Sequence, residues 1–272
     1  MSLTKVVLDV AGVCVVGLGA MCIGLAIGVQ LSPTVTSVGL ASARHEFGQT
    51  RPLDDGVIRR RASLLSGSKK PDAIIPPVTN GRAPVVGHIA TQQPVVFLTI
   101  DDGNYKDASV TAAMKRYNLK ASLFLSDLFI WHNPQFFTAL IDAGSLVENH
   151  TDRHDLKMVQ HNPPYQQREI CGMSDIIARY YGRRPVLFRP PGGRYNDDTQ
   201  RIVAECGMRA IMMWSARVER GVVEYQDGRT SLRAGDIVLM HFRPEFVQDL
   251  EAFVAAKNQA KLRVELLEDW VK

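Results

Sequence analysis

The sequence predicts an α/β domain built on a parallel sheet, open or closed into a barrel. Three observations carry that expectation. From Pro94 onward, short apolar runs alternate with longer helical stretches, and Gly or Pro separates them. The runs are continuously apolar, as strands buried on both faces are. Four of them end in polar or Gly-rich residues, and α/β sheets and βα barrels gather functional groups beyond the carboxyl ends of their strands.

Each element follows from its residues. Val95 to Ile100 reads as a buried strand, and Asp107 to Tyr117 as the helix after it. Ala121 to Ser126 is a second strand, and Pro134 to Ala143 a second helix that Gly144 ends. Short strands follow near Leu146 and at Val186 to Phe188, Ala210 to Trp214 and Ile237 to His241. Helices are expected at Gln166 to Tyr181, Asp197 to Glu205 and Glu245 to Lys257.

The chain has 272 residues, of which 46% are hydrophobic, enough for one domain of roughly 150–200 residues plus extra segments. Three segments are expected: residues 1–31 as a membrane anchor or signal, 32–93 as a basic linker with short ordered pieces near Val85 to Ile89, and 94–272 as the domain. Val10 to Leu31 is a run of 22 positions without a charge, and about 20 apolar residues cross a bilayer as a helix. Its length favours an uncleaved anchor, with the rest of the chain outside the cytoplasm. A cleaved signal and secretion is the alternative, given Ala41-Ser42-Ala43. Between Arg44 and Lys70, seven Lys or Arg face three acids. A solvated tether explains them, with attraction to phosphate-rich polymers or lipid headgroups as the second reading. Nucleic acid is excluded, since no aromatic residues interleave with these charges as a base-stacking platform requires. Cys171 and Cys206 lack metal-type spacing and read as buried free thiols, or as one disulfide if the domain is exported.

Chemistry concentrates in a few places. Asp101-Asp102-Gly103 follows one strand, and His150 and His154 follow another at a spacing of four. Two imidazoles and one carboxylate suffice for a divalent cation, typically three protein ligands with a position left for water. The chain expects zinc there, although cobalt or nickel suits the same donors. The two histidines face one way if Thr151 to Arg153 form a helical turn. With Asp102 on the cation, Asp101 is free to take a proton from water, and a nearby Arg189 would keep it ionised. Each signal alone has a plain structural explanation: a turn for Asp-Asp-Gly, a packed side chain for His241. Their joint order is what argues for a metal-dependent hydrolase.

The stretch from Pro94 to His241 resembles the polysaccharide deacetylases of carbohydrate esterase family 4. Five motifs match in order: TIDDG (Thr99 to Gly103), HTDRH (His150 to His154), RPPGG (Arg189 to Gly193), a weak fourth around Trp214, and LMH (Leu239 to His241). The resemblance implies a deformed parallel (β/α) barrel of about seven strands that removes acetyl groups from a polysaccharide of peptidoglycan or chitin type. It implies Asp102, His150 and His154 as the metal triad, Asp101 as general base and His241 as general acid. Arg189 would hold the base, Gly192 would offer its N–H to the oxyanion, and Trp214 and Leu239 would line the acetyl pocket. Two departures stand out. Family members carry an aromatic where Gly192 stands. Arg217 occupies a position where an Asp is expected, with Glu219 as an approximate substitute, so the acidic partner of Arg189 is open. That damaged motif motivates the competing reading, a non-catalytic glycan-binding or scaffolding protein that keeps the fold.

Overall fold

The structure, a computed structural model, describes residues 70–270. The expected anchor and the linker up to residue 69 lie outside them. Among the described residues, no helix is long and apolar enough to cross a membrane.

Ten strands form one sheet: β1 (Val85–Val86), β2 (Val95–Asp102), β3 (Ser122–Leu125), β4 (Leu146–Asn149), β5 (Leu187–Phe188), β6 (Ala210–Met212), β7 (Ala216–Glu219), β8 (Val222–Tyr225), β9 (Ile237–His241) and β10 (Arg263–Glu265). Their order is β1-β6-β5-β4-β3-β2-β9-β7-β8, with β10 beside the start of β2. Every ladder is parallel except that between β7 and β8. The parallel βα expectation therefore holds, whereas the expected closure of about seven strands does not: among the described residues neither β1 nor β8 has a second neighbour. The reason lies in Arg220 and Gly221, whose φ of +53° and +75° fold β8 back on β7. The sheet thus ends in a hairpin edge, not in the parallel strand that closure would need.

The helices are α1 (Ala108–Arg116), α2 (Asp127–Ile130), α3 (Thr138–Asp142), α4 (Pro163–Tyr181), α5 (Asp197–Glu205) and α6 (Phe246–Gln259). Strand β2 is buried along its whole length. Val96, Leu98 and Ile100 pack in one apolar cluster with Val110 of α1 and Phe246, Leu250 and Phe253 of α6. Val95 and Phe97 pack in another with Leu267 and Trp270. Side chains alternate along a strand, so Thr99 and Asp101 share the face of Val95 and Phe97.

Two expectations are corrected here. The packed domain begins before Pro94: Ile75, Ala83, Val86 and Ile89 are buried, the Ile75 N–H donates to the Trp270 carbonyl, and β1 pairs with β6. The short ordered pieces expected near Val85 to Ile89 are present, and the packed stretch reaches back to Ile75. Cys171 and Cys206 are joined in a disulfide, not free. The packing of α4 against the end of α5 brings their Cα atoms to 5.1 Å, within bridging range. A loop of this length is worth about 3–4 kcal/mol in the chain-entropy view.

Candidate functional site

The site forms beyond the carboxyl ends of β2, β4, β5 and β9. Asp101 and Asp102 are the last residues of β2, and Asp101 pairs in register with His241 at the end of β9. Asp102 has φ +77° and Gly103 φ +90°. A Cβ on Gly103 would lie 2.7 Å from Ile130 Cγ2, so only glycine fits this turn. The turn carries the chain off the sheet directly after the two acids.

The expected metal triad comes together. His150 Nε2 lies 3.5 Å and His154 Nε2 3.1 Å from Asp102 Oδ1, and the two imidazole centroids are 5.0 Å apart. One donor atom from each of the three residues falls within 4.8 Å of the others. The route to this geometry differs from the expected helical turn. Residues 150–154 form a loop with Thr151 at φ +70° and His154 at φ +51°. Both are unusual for residues with a Cβ, and Thr151, being β-branched, is an outlier there.

Three features of the donor set fit a cation. His150 Nδ1 is 2.7 Å from the Arg189 carbonyl. A carbonyl only accepts, so Nδ1 carries a proton, which leaves Nε2, on the side of Asp102, as the atom that would bind a cation. Asp102 Oδ1 is buried and accepts no hydrogen bond, an arrangement that costs free energy unless a positive charge sits among these atoms. The electrostatics agree. Burial acts to raise the Asp102 carboxyl, yet the imidazoles of His150 and His154 hold it well below the usual carboxylate range. Burial acts to lower His150, yet Asp101 and Asp102 raise it overall. Positive charge is favoured at this point, and two nitrogens with one carboxylate oxygen suit zinc.

Asp101 stands beside this triad. Its Oδ1 accepts from Arg189 Nη1 at 2.8 Å, while Oδ2 is 3.8 Å from His150 Nε2. Arg189 is fully buried. It also donates to Thr99 Oγ1 at 2.7 Å and to the carbonyls of Met212 at 3.0 Å and Met213 at 3.2 Å. Its guanidinium lies 4.3 Å from the centre of the Phe124 ring, a cation–π contact. Burial lowers the Arg189 pKa, and Asp101 opposes that shift. Glu219 does not replace the missing acid at Arg189. It pairs with Arg243 at 2.7 Å, and Arg217 pairs across the hairpin with Glu224 at 2.6 Å. Both side chains are thus paired elsewhere, and besides Asp101 the Arg189 guanidinium donates to Thr99 and to two backbone carbonyls.

The other expected residues sit around this core. His241 is partly buried; burial lowers its pKa, with the Asp101 and Asp102 carboxylates opposing and Arg243 adding to the shift. Leu239 is buried on β9 opposite Thr99. Trp214 is half-buried, its ring 5.8 Å from the Arg189 guanidinium. Gly192 has φ +63°, and a Cβ there would meet only Leu156 Cδ2, at 3.2 Å. The tighter constraint is one residue on: a Cβ on Gly193 would lie 2.9 Å from Met213 Cε and 3.0 Å from Trp214 Cη2. Gly193 and Thr99 are site residues that motif reading passed over, although both stand inside the motifs that flagged their neighbours.

Known proteins are similar to part of this chain. A polysaccharide deacetylase family profile matches residues 88–211, which include Asp101, Asp102, His150, His154, Arg189 and Gly192 but end before Trp214, Leu239 and His241. An uncharacterized protein of Streptomyces coelicolor is 37% identical over 157 residues, 57% of this chain and 62% of that protein. The chain thus spans less than two thirds of that relative. A peptidoglycan-N-acetylglucosamine deacetylase of Bacillus cereus is 23% identical over 58% of this chain and 76% of its own length. The structure of a family 4 carbohydrate esterase from Streptomyces lividans in complex with acetate superposes with a TM-score of 0.53 at 27% identity, covering 62% of this chain and 89% of that one. With its motifs in order and its acids and imidazoles assembled, the chain is similar over residues 88–211 to the polysaccharide deacetylase family.

Proposed function

We propose that this domain is a metal-dependent hydrolase that removes acetyl groups from N-acetylated cell-envelope polysaccharide of peptidoglycan or chitin type. The observation that carries the reading is the grouping of Asp102, His150 and His154, with Asp101 left outside the triad and anchored by Arg189. A divalent ion held by these three residues, zinc in our reading, would acidify water and polarise the acyl carbonyl. Arg189 occupies Asp101 Oδ1, so Oδ2 is the oxygen that takes the proton from attacking water. Gly192, with its positive φ and no side chain to block approach, would offer its N–H to the oxyanion. His241, next to Asp101 in the sheet, passes a proton to the leaving nitrogen. Trp214 and Leu239 enclose the acetyl methyl.

The Cys171–Cys206 disulfide supports a location in an oxidising compartment. That agrees with residues 10–31 as a membrane anchor and with a substrate outside the cytoplasm. Acetate release from N-acetylglucosamine oligomers tests the proposal. We expect release by the zinc-loaded chain, its loss on chelation and its return with added metal. Oligomer binding without release in any metal form would favour the non-catalytic reading, to which the lack of a second carboxylate at Arg189 among the described residues lends weight.

A further inference from the structure

We propose that Glu169 of α4 is a positioning residue for the metal centre, and that the Cys171–Cys206 disulfide fixes the helix that presents it. The inference rests on the assignment of Asp102, His150 and His154 as metal ligands.

The loop between the two histidines holds a conformation its residues do not favour, with positive φ at Thr151 and His154. Such strain persists only where the surroundings over-determine it. Here each backbone N–H from 151 to 154 has an acceptor. Thr151 donates to Asn149 Oδ1 at 2.9 Å, and His154 donates to Thr151 Oγ1 at 3.0 Å. The two amides between them both donate to one residue outside the loop. Asp152 N–H reaches the Glu169 carbonyl at 3.0 Å, and Arg153 N–H reaches Glu169 Oε2 at 2.9 Å. Glu169 is buried, so solvent does not compete for these bonds.

The neighbouring residues extend the grip. The Ile170 carbonyl accepts from Asn149 Nδ2 at 2.8 Å, and Ser174 Oγ accepts from the same nitrogen at 2.9 Å. That side chain is the one whose oxygen holds Thr151. Cys171 comes next and is bonded to Cys206 beyond the end of α5. Residues 169–171 therefore tie the ligand loop on one side and a second helix on the other. Glu169 touches neither imidazole. It acts through the backbone, by keeping the span from His150 to His154 in the one shape that turns both rings on Asp102.

Zinc affinity of the full chain, measured by competition with a chromogenic chelator beside the melting midpoint of the metal-free protein, tests this. Residues that orient metal ligands typically change affinity by about 10–100-fold. We expect a weakening of that order in Glu169→Ala. Glu169→Gln, whose amide oxygen still accepts from Arg153, should restore most of it. Replacing both cysteines by serine should weaken zinc in the same direction, and this variant decides the matter if Glu169→Ala does not fold. A folded Glu169→Ala chain with wild-type zinc affinity would overturn the proposal alone. A wild-type chain that binds no zinc would overturn the metal assignment as well.

Discussion

Asp101→Asn is expected to lower acetate release by about 10²–10⁴-fold, the range over which a positioned base contributes, while zinc binding and fold are retained. The asparagine keeps an oxygen for Arg189 Nη1, which now holds Asp101 Oδ1 at 2.8 Å. It loses the proton affinity of a carboxylate, and none of the three proposed ligands is altered. Steady-state acetate release together with the stoichiometry of bound zinc checks both halves. Turnover within a few-fold of wild type would remove Asp101 from the base role. Loss of zinc together with turnover would instead make Asp101 part of the ligand set.

Arg189→Met should be the most destabilising single change in the site. Arg189 is fully buried, and its guanidinium donates to Asp101, Thr99 and the carbonyls of Met212 and Met213. Methionine fills part of the volume but leaves a buried carboxylate and several acceptors without donors. Breaking a buried ion pair by removing one partner costs about 3–5 kcal/mol. Urea unfolding measures the loss. The double variant with Asp101→Asn should be less destabilised than the sum of the two single changes, because residues in contact couple by about 0.5–3 kcal/mol. An additive double variant would mean that the two charges do not support one another. Among the described residues no second carboxylate pairs with Arg189, since Glu219 is held by Arg243 and Arg217 by Glu224. The coupling should therefore rest chiefly on Asp101.

Legibility in the sequence varied with how local the determining physics was. Strand β9 was readable end to end and β2 over Val95 to Ile100, because burial on both faces demands an unbroken apolar run. Helix α5 was readable to its ends as well: the Asn196 side chain accepts from Thr199 N–H and Thr199 Oγ1 from Asn196 N–H, a cap written within four residues. Helix α4 begins three residues before the expected Gln166, where Asn162 caps and Pro163 opens the first turn. The β7–β8 hairpin escaped notice because its four-residue strands turn at Arg-Gly, a weaker signal than Asn-Gly or Asp-Gly. In the site, the residue types and their order singled out Asp101, Asp102, His150 and His154, which the fold brings near one another. The manner of their meeting was not legible, since no local propensity announces a threonine at φ +70° held by a glutamate on another helix. The disulfide stood in the sequence only as the alternative to free thiols, because the packing of α4 against α5 pairs the cysteines and their spacing does not.

X-ray absorption at the zinc edge of the loaded chain tests the central claim most directly. The account predicts one ion per chain with two imidazole nitrogens and oxygen donors at about 2.0–2.2 Å. It also predicts one imidazole fewer in His154→Ala and an altered oxygen shell in Asp102→Asn. A shell unchanged by either substitution, or one with sulfur in it, would place the metal elsewhere and contradict the account.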